Sequence, residues 1–161
     1  MRRILIALAM AALVLPSPVS ATWSIIAIDR ATGRMVISSA TCAATRPNQL
    51  KQLQAIVIPG VGVAAAQAGV DRTHENQKLI YAQMQRGTAP EAIIGMLQAD
   101  TLIERRQFGI IDMQGRTAGF SGSGNGNVSM DLQGESDDGI IWAVQGNIIA
   151  TEEALTAAAT I

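Results

Sequence analysis

Thr22 is the residue at which chemistry in this chain would start. It follows Val19-Ser20-Ala21, a run of small residues with Val19 at −3 and Ala21 at −1, the pattern that signal peptidase cuts. Cleavage after Ala21 would leave a free α-amine on Thr22 beside its own hydroxyl. A hydroxyl is a poor nucleophile until a base takes its proton. An α-amine ordinarily titrates near about 7.7–8.0, so part of it is neutral at physiological pH. It can then act as the base, directly or through a water. Against this stands a plain fact: every exported protein has some first residue, and a threonine there need do nothing.

Acyl transfer also needs donors aimed at the oxygen on which negative charge develops. Two segments offer them. Gln67 lies in Gln67-Ala68-Gly69, with an amide and adjacent backbone N–H groups. Asn147 ends Gln145-Gly146-Asn147 and carries both a donor and an acceptor. The competing reading of the second segment is a strand-end turn. Ser38 and Ser39 finish a strand expected beside the one that Thr22 opens. Ser39 could hydrogen-bond the Thr22 amine, or the pair could simply end the strand.

Other reactive side chains read as ordinary. His74 is the only histidine and falls at a helix start, where a solvated residue is expected. Cys42 is the only cysteine; it has no basic neighbour in sequence and reads as a small buried residue. One cysteine excludes an intramolecular disulfide, and the cysteine and histidine counts exclude a structural zinc site. Residues 122–127 are glycine-rich but lack the Lys-Ser/Thr ending of a phosphate loop, so they read as a mobile loop near the site mouth. Arg105 and Arg106 read as an exposed pair, and Met84, Met96 and Met113 as core.

The first 21 residues form a leader. Arg2 and Arg3 are its positive start, residues 4–15 its uncharged apolar stretch, and Pro16 and Pro18 its breakers. That stretch is too short for a membrane span. Residues 22–161 then make one domain, periplasmic or secreted, with no membrane association after processing. The formal charge of −1 becomes −3 without Arg2 and Arg3. With no basic cluster and 3% aromatic residues, nucleic-acid binding is not expected.

The elements that must position Thr22 follow from pattern. Residues 23–28 and 34–39 read as a hairpin around Asp29 and Gly33, with Asp29 a turn residue. Residues 55–58 and 61–67 read as strands. Two helices follow, at 74–85 (capped by Asp71 or Thr73) and at 90–98 (a capping box from Thr88 to Glu91, with Pro90 in the first turn). Residues 107–112 and 116–121 form a second hairpin, 122–139 a loop, 140–145 a last strand, and a helix starts at Glu152. Strands, helices, strands, helix in runs indicate an α+β fold with mainly antiparallel sheets.

Four segments, in order, resemble a bacterial family known as domain of unknown function 1028. They are Thr22-Trp23-Ser24-Ile25-Ile26-Ala27-Ile28-Asp29 with Thr32-Gly33; Gly62-Val63-Ala64-Ala65-Ala66-Gln67-Ala68; Glu104-Arg105-Arg106-Gln107-Phe108-Gly109-Ile110-Ile111-Asp112 with Gly115-Arg116; and Ala143-Val144-Gln145-Gly146-Asn147. That family looks like a branch of the N-terminal nucleophile hydrolases, the superfamily of the proteasome and penicillin acylase. The resemblance implies a four-layer αββα sandwich whose first strand opens with the catalytic residue, here Thr22.

Two departures accompany it. Proteasome-type enzymes carry an assisting lysine in the region of residues 51–54, where this chain aligns Gln52 or Leu53, with Lys51 close by. The family often has an arginine soon after the second strand, where this chain has Ser39-Ala40-Thr41 and reaches Arg46 only later. Relatives are usually longer and some carry a peptidoglycan-binding module, so the stop at Ile161 reads as a shortened form.

The resulting expectation is an exported N-terminal-threonine amidohydrolase with Thr22, Ser39, Gln67 and Asn147 at its site. Its substrate would be a small molecule or peptide, including cell-wall fragments. Such chemistry requires no metal or organic cofactor, and a homo-oligomer is compatible with it. The alternative is a secreted binding module that kept the fold without the activity.

Overall fold

The computed structural model describes residues 21–43 and 48–160. The leader reading rests on residues outside that range, as does Arg46. The strands are β1 (Thr22–Asp29), β2 (Arg34–Thr41), β3 (Ala55–Ile58), β4 (Gly62–Ala68), β5 (Arg106–Asp112), β6 (Thr117–Ser121), β7 (Ser129–Glu135) and β8 (Ile140–Asn147). The helices are α1 (Gln49–Gln54), α2 (Glu75–Gln85), α3 (Pro90–Leu97) and α4 (Glu153–Ala158), with a 3₁₀ turn at Ile103–Arg105.

The strands make two four-stranded sheets, ordered β2-β1-β8-β7 and β3-β4-β5-β6. Every pairing is antiparallel. The α+β expectation therefore holds. The first hairpin forms because Asp29 builds its own turn. Its carboxylate accepts the N–H groups of Ala31 and Thr32, and Gly33 takes the left-handed φ of 72° that the return requires.

Between the sheets, Ile26 and Ile28 of β1 and Ile141 and Ala143 of β8 meet Val63 and Ala65 of β4 and Ile111 of β5. On the other face of the second sheet, Ile80 and Met84 of α2 and Ile93 and Leu97 of α3 pack on Ile56, Ala64, Phe108 and Ile110. Strands β4 and β5 are thus covered on both sides, which explains the small and apolar runs 62–66 and 108–111 within them. Gly62 shows how close the backbones run: a Cβ there would lie 2.4 Å from the Ile111 carbonyl oxygen. Helix α4 lies on β8, where Leu155 covers Gly146.

Several expectations need correction. Helix α1 was not anticipated. Strand β7 falls within residues read as loop, because Ser-Met-Asp-Leu-Gln-Gly-Glu has little strand propensity; pairing along β8 overrides that. Gly134 belongs there because Trp142 lies over it, 2.4 Å from where a Cβ would be. Thr88 forms no capping box: Ala89 is the N-cap of α3, and the Thr88 hydroxyl donates to Gln83 instead. Met96 is exposed, and so is Cys42. Residues 122–127 are tied down rather than loose. Gly122 N–H and the Asn125 amide both donate to the Arg106 carbonyl, and Ser123 binds Glu104.

Candidate functional site

Thr22 is the first residue of a strand with neighbours on both sides. The register sets it opposite Thr41 of β2 and opposite Asn147 of β8. Cys42 N–H donates to the Ala21 carbonyl at 2.9 Å, so Ala21 and Cys42 form a hydrogen-bonded pair. Antiparallel alternation then turns the Thr22 nitrogen toward Asn147. The Thr22 side chain shares the inner face with Ser24, Ile26 and Ile28, by the two-residue period of the strand.

There its hydroxyl lies 2.8 Å from the Thr41 hydroxyl. The Thr41 oxygen also accepts from Ala43 N–H at 3.1 Å and lies 3.4 Å from the Ala21 carbonyl, so its one proton can go to Thr22 or to Ala21, and either hydroxyl can donate in the Thr22–Thr41 pair. The companion expected from sequence, Ser39, is displaced by two pairs along the ladder. It lies opposite Ser24 and lines a neighbouring hollow with Lys51 and Val57. Thr41 holds the position that Ser39 was expected to hold. Its signal was available, since the hairpin register alone pairs residue 22 with residue 41.

A cavity of about 100 Å³ opens beside Thr22. Leu50, Leu53, Ala66 and Phe108 supply its apolar wall; Thr41, Gln54, Gln67 and Arg106 its polar one. Sites that bury a drug-sized ligand usually measure about 300–1,000 Å³, so this one takes a single side chain or short acyl group. The two lysines of the chain, Lys51 and Lys78, do not line it. Leu53 and Gln54 do, in the region where a proteasome-type lysine was sought.

Gln67 and Asn147 are both present at this end of the sandwich, but the Gln67 amide has no free donor and the Asn147 amide is tied by one of its two N–H groups. They belong to an uncharged network that stitches the sheets together. Gln67 donates to Gln107 at 2.6 Å and to the Gln145 carbonyl at 3.2 Å, which uses both its N–H bonds. Its oxygen accepts from the Ser24 hydroxyl at 2.8 Å and from Gln54. Asn147 donates to the Gln107 oxygen at 3.0 Å, and Gln145 donates to Ser24 at 2.6 Å. Gln107, completely buried, donates to the Gly146 carbonyl at 2.8 Å and to Ser121 at 2.7 Å. The other Gln145 amide oxygen is buried without a donor. Sequence reasoning saw Gln67 and Asn147 singly and missed the set, whose signal is four amides at matching ends of β4, β5 and β8.

Backbone strain also gathers here. Ala68, the last residue of β4, and Ile148, just past β8, have φ of 71° and 53°. Such angles cost of order 1–3 kcal/mol each for residues other than glycine.

Arg106 closes the far side of the cavity. It is buried rather than one of an exposed pair, as the Arg105-Arg106 dipeptide suggested. Its Nε donates to Asp100 at 2.7 Å and its Nη1 to the Gly69 carbonyl. Burial works against the Asp100 charge, but hydrogen bonds from Arg106, Asn76 and the Leu102 N–H outweigh it and hold its pKa at about 2. The folded value lies below the unfolded one of about 3.9. Asp100 thus stabilises the fold above about pH 4, and that contribution is lost as the pH falls toward about 2. We expect Asp100→Asn to lower the urea midpoint at about pH 5 and to flatten its fall between about pH 4 and pH 2. An equally steep fall in the variant would refute the assignment. His74 stands at the start of α2, and Asp71 caps that helix through the Asn76 N–H at 3.0 Å. Among the described residues no group of three metal-ligating side chains occurs, and no helix is long and apolar enough to cross a membrane.

The fold and site define a class: a two-sheet α+β sandwich whose inner strand opens on a threonine at the mouth of a small cavity. The chain belongs to the family of unknown function DUF1028, whose model matches residues 22–161. A crystal structure of a Silicibacter pomeroyi protein from the same family superposes with a TM-score of 0.72 at 21% identity, over 86% of this chain. The match spans 57% of that protein's length. No curated protein matches the chain.

Proposed function

We propose that this chain is an exported N-terminal-threonine amidohydrolase, with the frame of the N-terminal nucleophile hydrolases. The observation that carries the reading is the position of Thr22, at the head of an inner strand, its hydroxyl at a cavity and its nitrogen turned to the opposite neighbour. In the processed protein the Thr22 amine takes the hydroxyl proton as the oxygen attacks an amide carbonyl. The carbonyl π pair moves to oxygen. Collapse re-forms the carbonyl and breaks the C–N bond, and the leaving amine takes the proton. Water then adds to the resulting ester by the same steps, releasing a carboxylic acid and restoring the hydroxyl. In this reading the helices outside both sheets complete an αββα frame, and the strained Ala68 belongs to the site.

The size of the cavity and the lack of a lysine in its wall favour a second reading, a binding module without activity. Two measurements separate them. The intact mass of the exported protein must correspond to a start at Thr22. A threonine-directed electrophile must then label that protein and fail to label Thr22→Ala. Labelling that never occurs, or that survives the substitution, leaves the binding module.

A further inference from the structure

The acyl oxygen of a substrate needs donors, and both N–H groups of the Gln67 amide and one of the Asn147 amide are already committed. The unprocessed chain displays an acyl group at the right place. Ala21 is an acyl residue joined to Thr22, and its carbonyl oxygen accepts from Cys42 N–H at 2.9 Å with the Thr41 hydroxyl 3.4 Å away. We propose that Cys42 N–H and the Thr41 hydroxyl are the oxyanion donors of the site, and that the substrate's acyl part is peptide-like, extending β1 alongside β2 as Ala21 does. The proposal rests on the amidohydrolase reading and gives it a substrate class.

Removal of the leader takes away the Ala21 carbonyl. That leaves Cys42 N–H without its ladder partner, at the end of β2 next to Thr22. It also removes one of the two acceptors open to the Thr41 proton, the Ala21 carbonyl, so that a new acyl oxygen can replace it while Ala43 N–H still holds the Thr41 oxygen in place. An acyl carbon on the Thr22 oxygen stands close to the Thr22 nitrogen, since the two atoms belong to one residue. Its oxygen can therefore face the donors that held the Ala21 carbonyl. As Thr22 attacks, the carbonyl π pair becomes the oxyanion that they receive. A backbone N–H at a strand end is fixed in direction, as such a donor must be. The same ladder position selects an acyl group with an extended backbone over a branched or flat one.

The test uses the processed protein and a β-lactone. Thr22 would open the ring by attack at its carbonyl, breaking the ring C–O bond and taking up the whole reagent as an ester, read by intact mass. We expect the labelling rate of Cys42→Pro, which lacks the N–H, to fall about 10²-fold below that of Cys42→Ala, which keeps it. Thr41→Val should fall similarly below Thr41→Ser. Periodate cleavage of the amino alcohol of an amino-terminal Thr22 involves no attack on a carbonyl and should proceed alike in all four. Folded Cys42→Pro and Thr41→Val that label as fast as their partners would overturn the donor assignment while leaving the hydrolase reading intact. If Cys42→Pro does not fold, the Thr41 pair decides alone. Failure of the unsubstituted protein to label at Thr22 removes the hydrolase reading itself, and the donors with it. A small-acyl dipeptide amide cleaved no faster than its flat aromatic-acyl counterpart would refute the peptide-like substrate.

Discussion

Thr22→Ala in the processed protein is expected to lower the rate of acylation by at least about 10³-fold, while Thr22→Ser keeps much of it. Ala removes the attacking atom, whereas Ser keeps both hydroxyl and amine. The wild-type rate should also climb with pH and level off as the amine loses its proton, through the range of about 7.7–8.0 in which α-amines ordinarily titrate. Acetylating the amine should abolish the reaction with the hydroxyl intact, because the base is then gone. Thr22→Ala acylated at the wild-type rate would place the nucleophile elsewhere. An acetylated protein that still reacts would place the base elsewhere. Both are read by following ester formation by mass.

The second large effect concerns stability. Gln107→Leu is expected to cost at least about 3 kcal/mol, because leaving a buried polar group unpaired costs about 1–3 kcal/mol and Gln107 serves several. Its oxygen accepts from Gln67 and Asn147, and its amide nitrogen donates to the Gly146 carbonyl and to Ser121. Leu matches the volume roughly but answers none of them. A domain of this kind has only about 5–15 kcal/mol in total, so the variant should unfold at markedly lower urea. A loss below about 1 kcal/mol in urea titration would show that the amides re-pair among themselves. The network would then be adaptable rather than specific.

Much of the frame was legible from the chain. The Asp29–Gly33 turn, the helices before Gly87 and after Pro90, and the α+β order follow from local chemistry that the structure repeats. What escaped was set by partners distant in sequence. Strand β7 carries almost no strand signal of its own and exists because β8 offers an edge. Arg106 looked like half of an exposed pair because Asp100 and the Gly69 carbonyl, which hold it, meet it only in the fold. At the site, sequence singled out Thr22, Gln67 and Asn147, which lie at one end of the sandwich. It could not show that the Gln67 amide is already spoken for or that Asn147 is tied to Gln107. Ser39 was chosen by position in a strand end rather than by register, and register favours Thr41.

The hydrogen bonding of β1 on both edges bears on the lifetime of the terminus after processing. An aminopeptidase must draw several residues of free, extended chain into its own cleft. Here Thr22 and the seven residues that follow it are zipped between β2 and β8, and the proposed processing would make Thr22 the terminus. Trimming would require peeling an inner strand from the sheet, with Ile26 and Ile28 leaving the core. A mature amino terminus is often the first part of a protein to be nibbled away. In this fold it would be among the last, and the one residue that cannot be lost without losing the proposed activity would be kept whole among exported proteases.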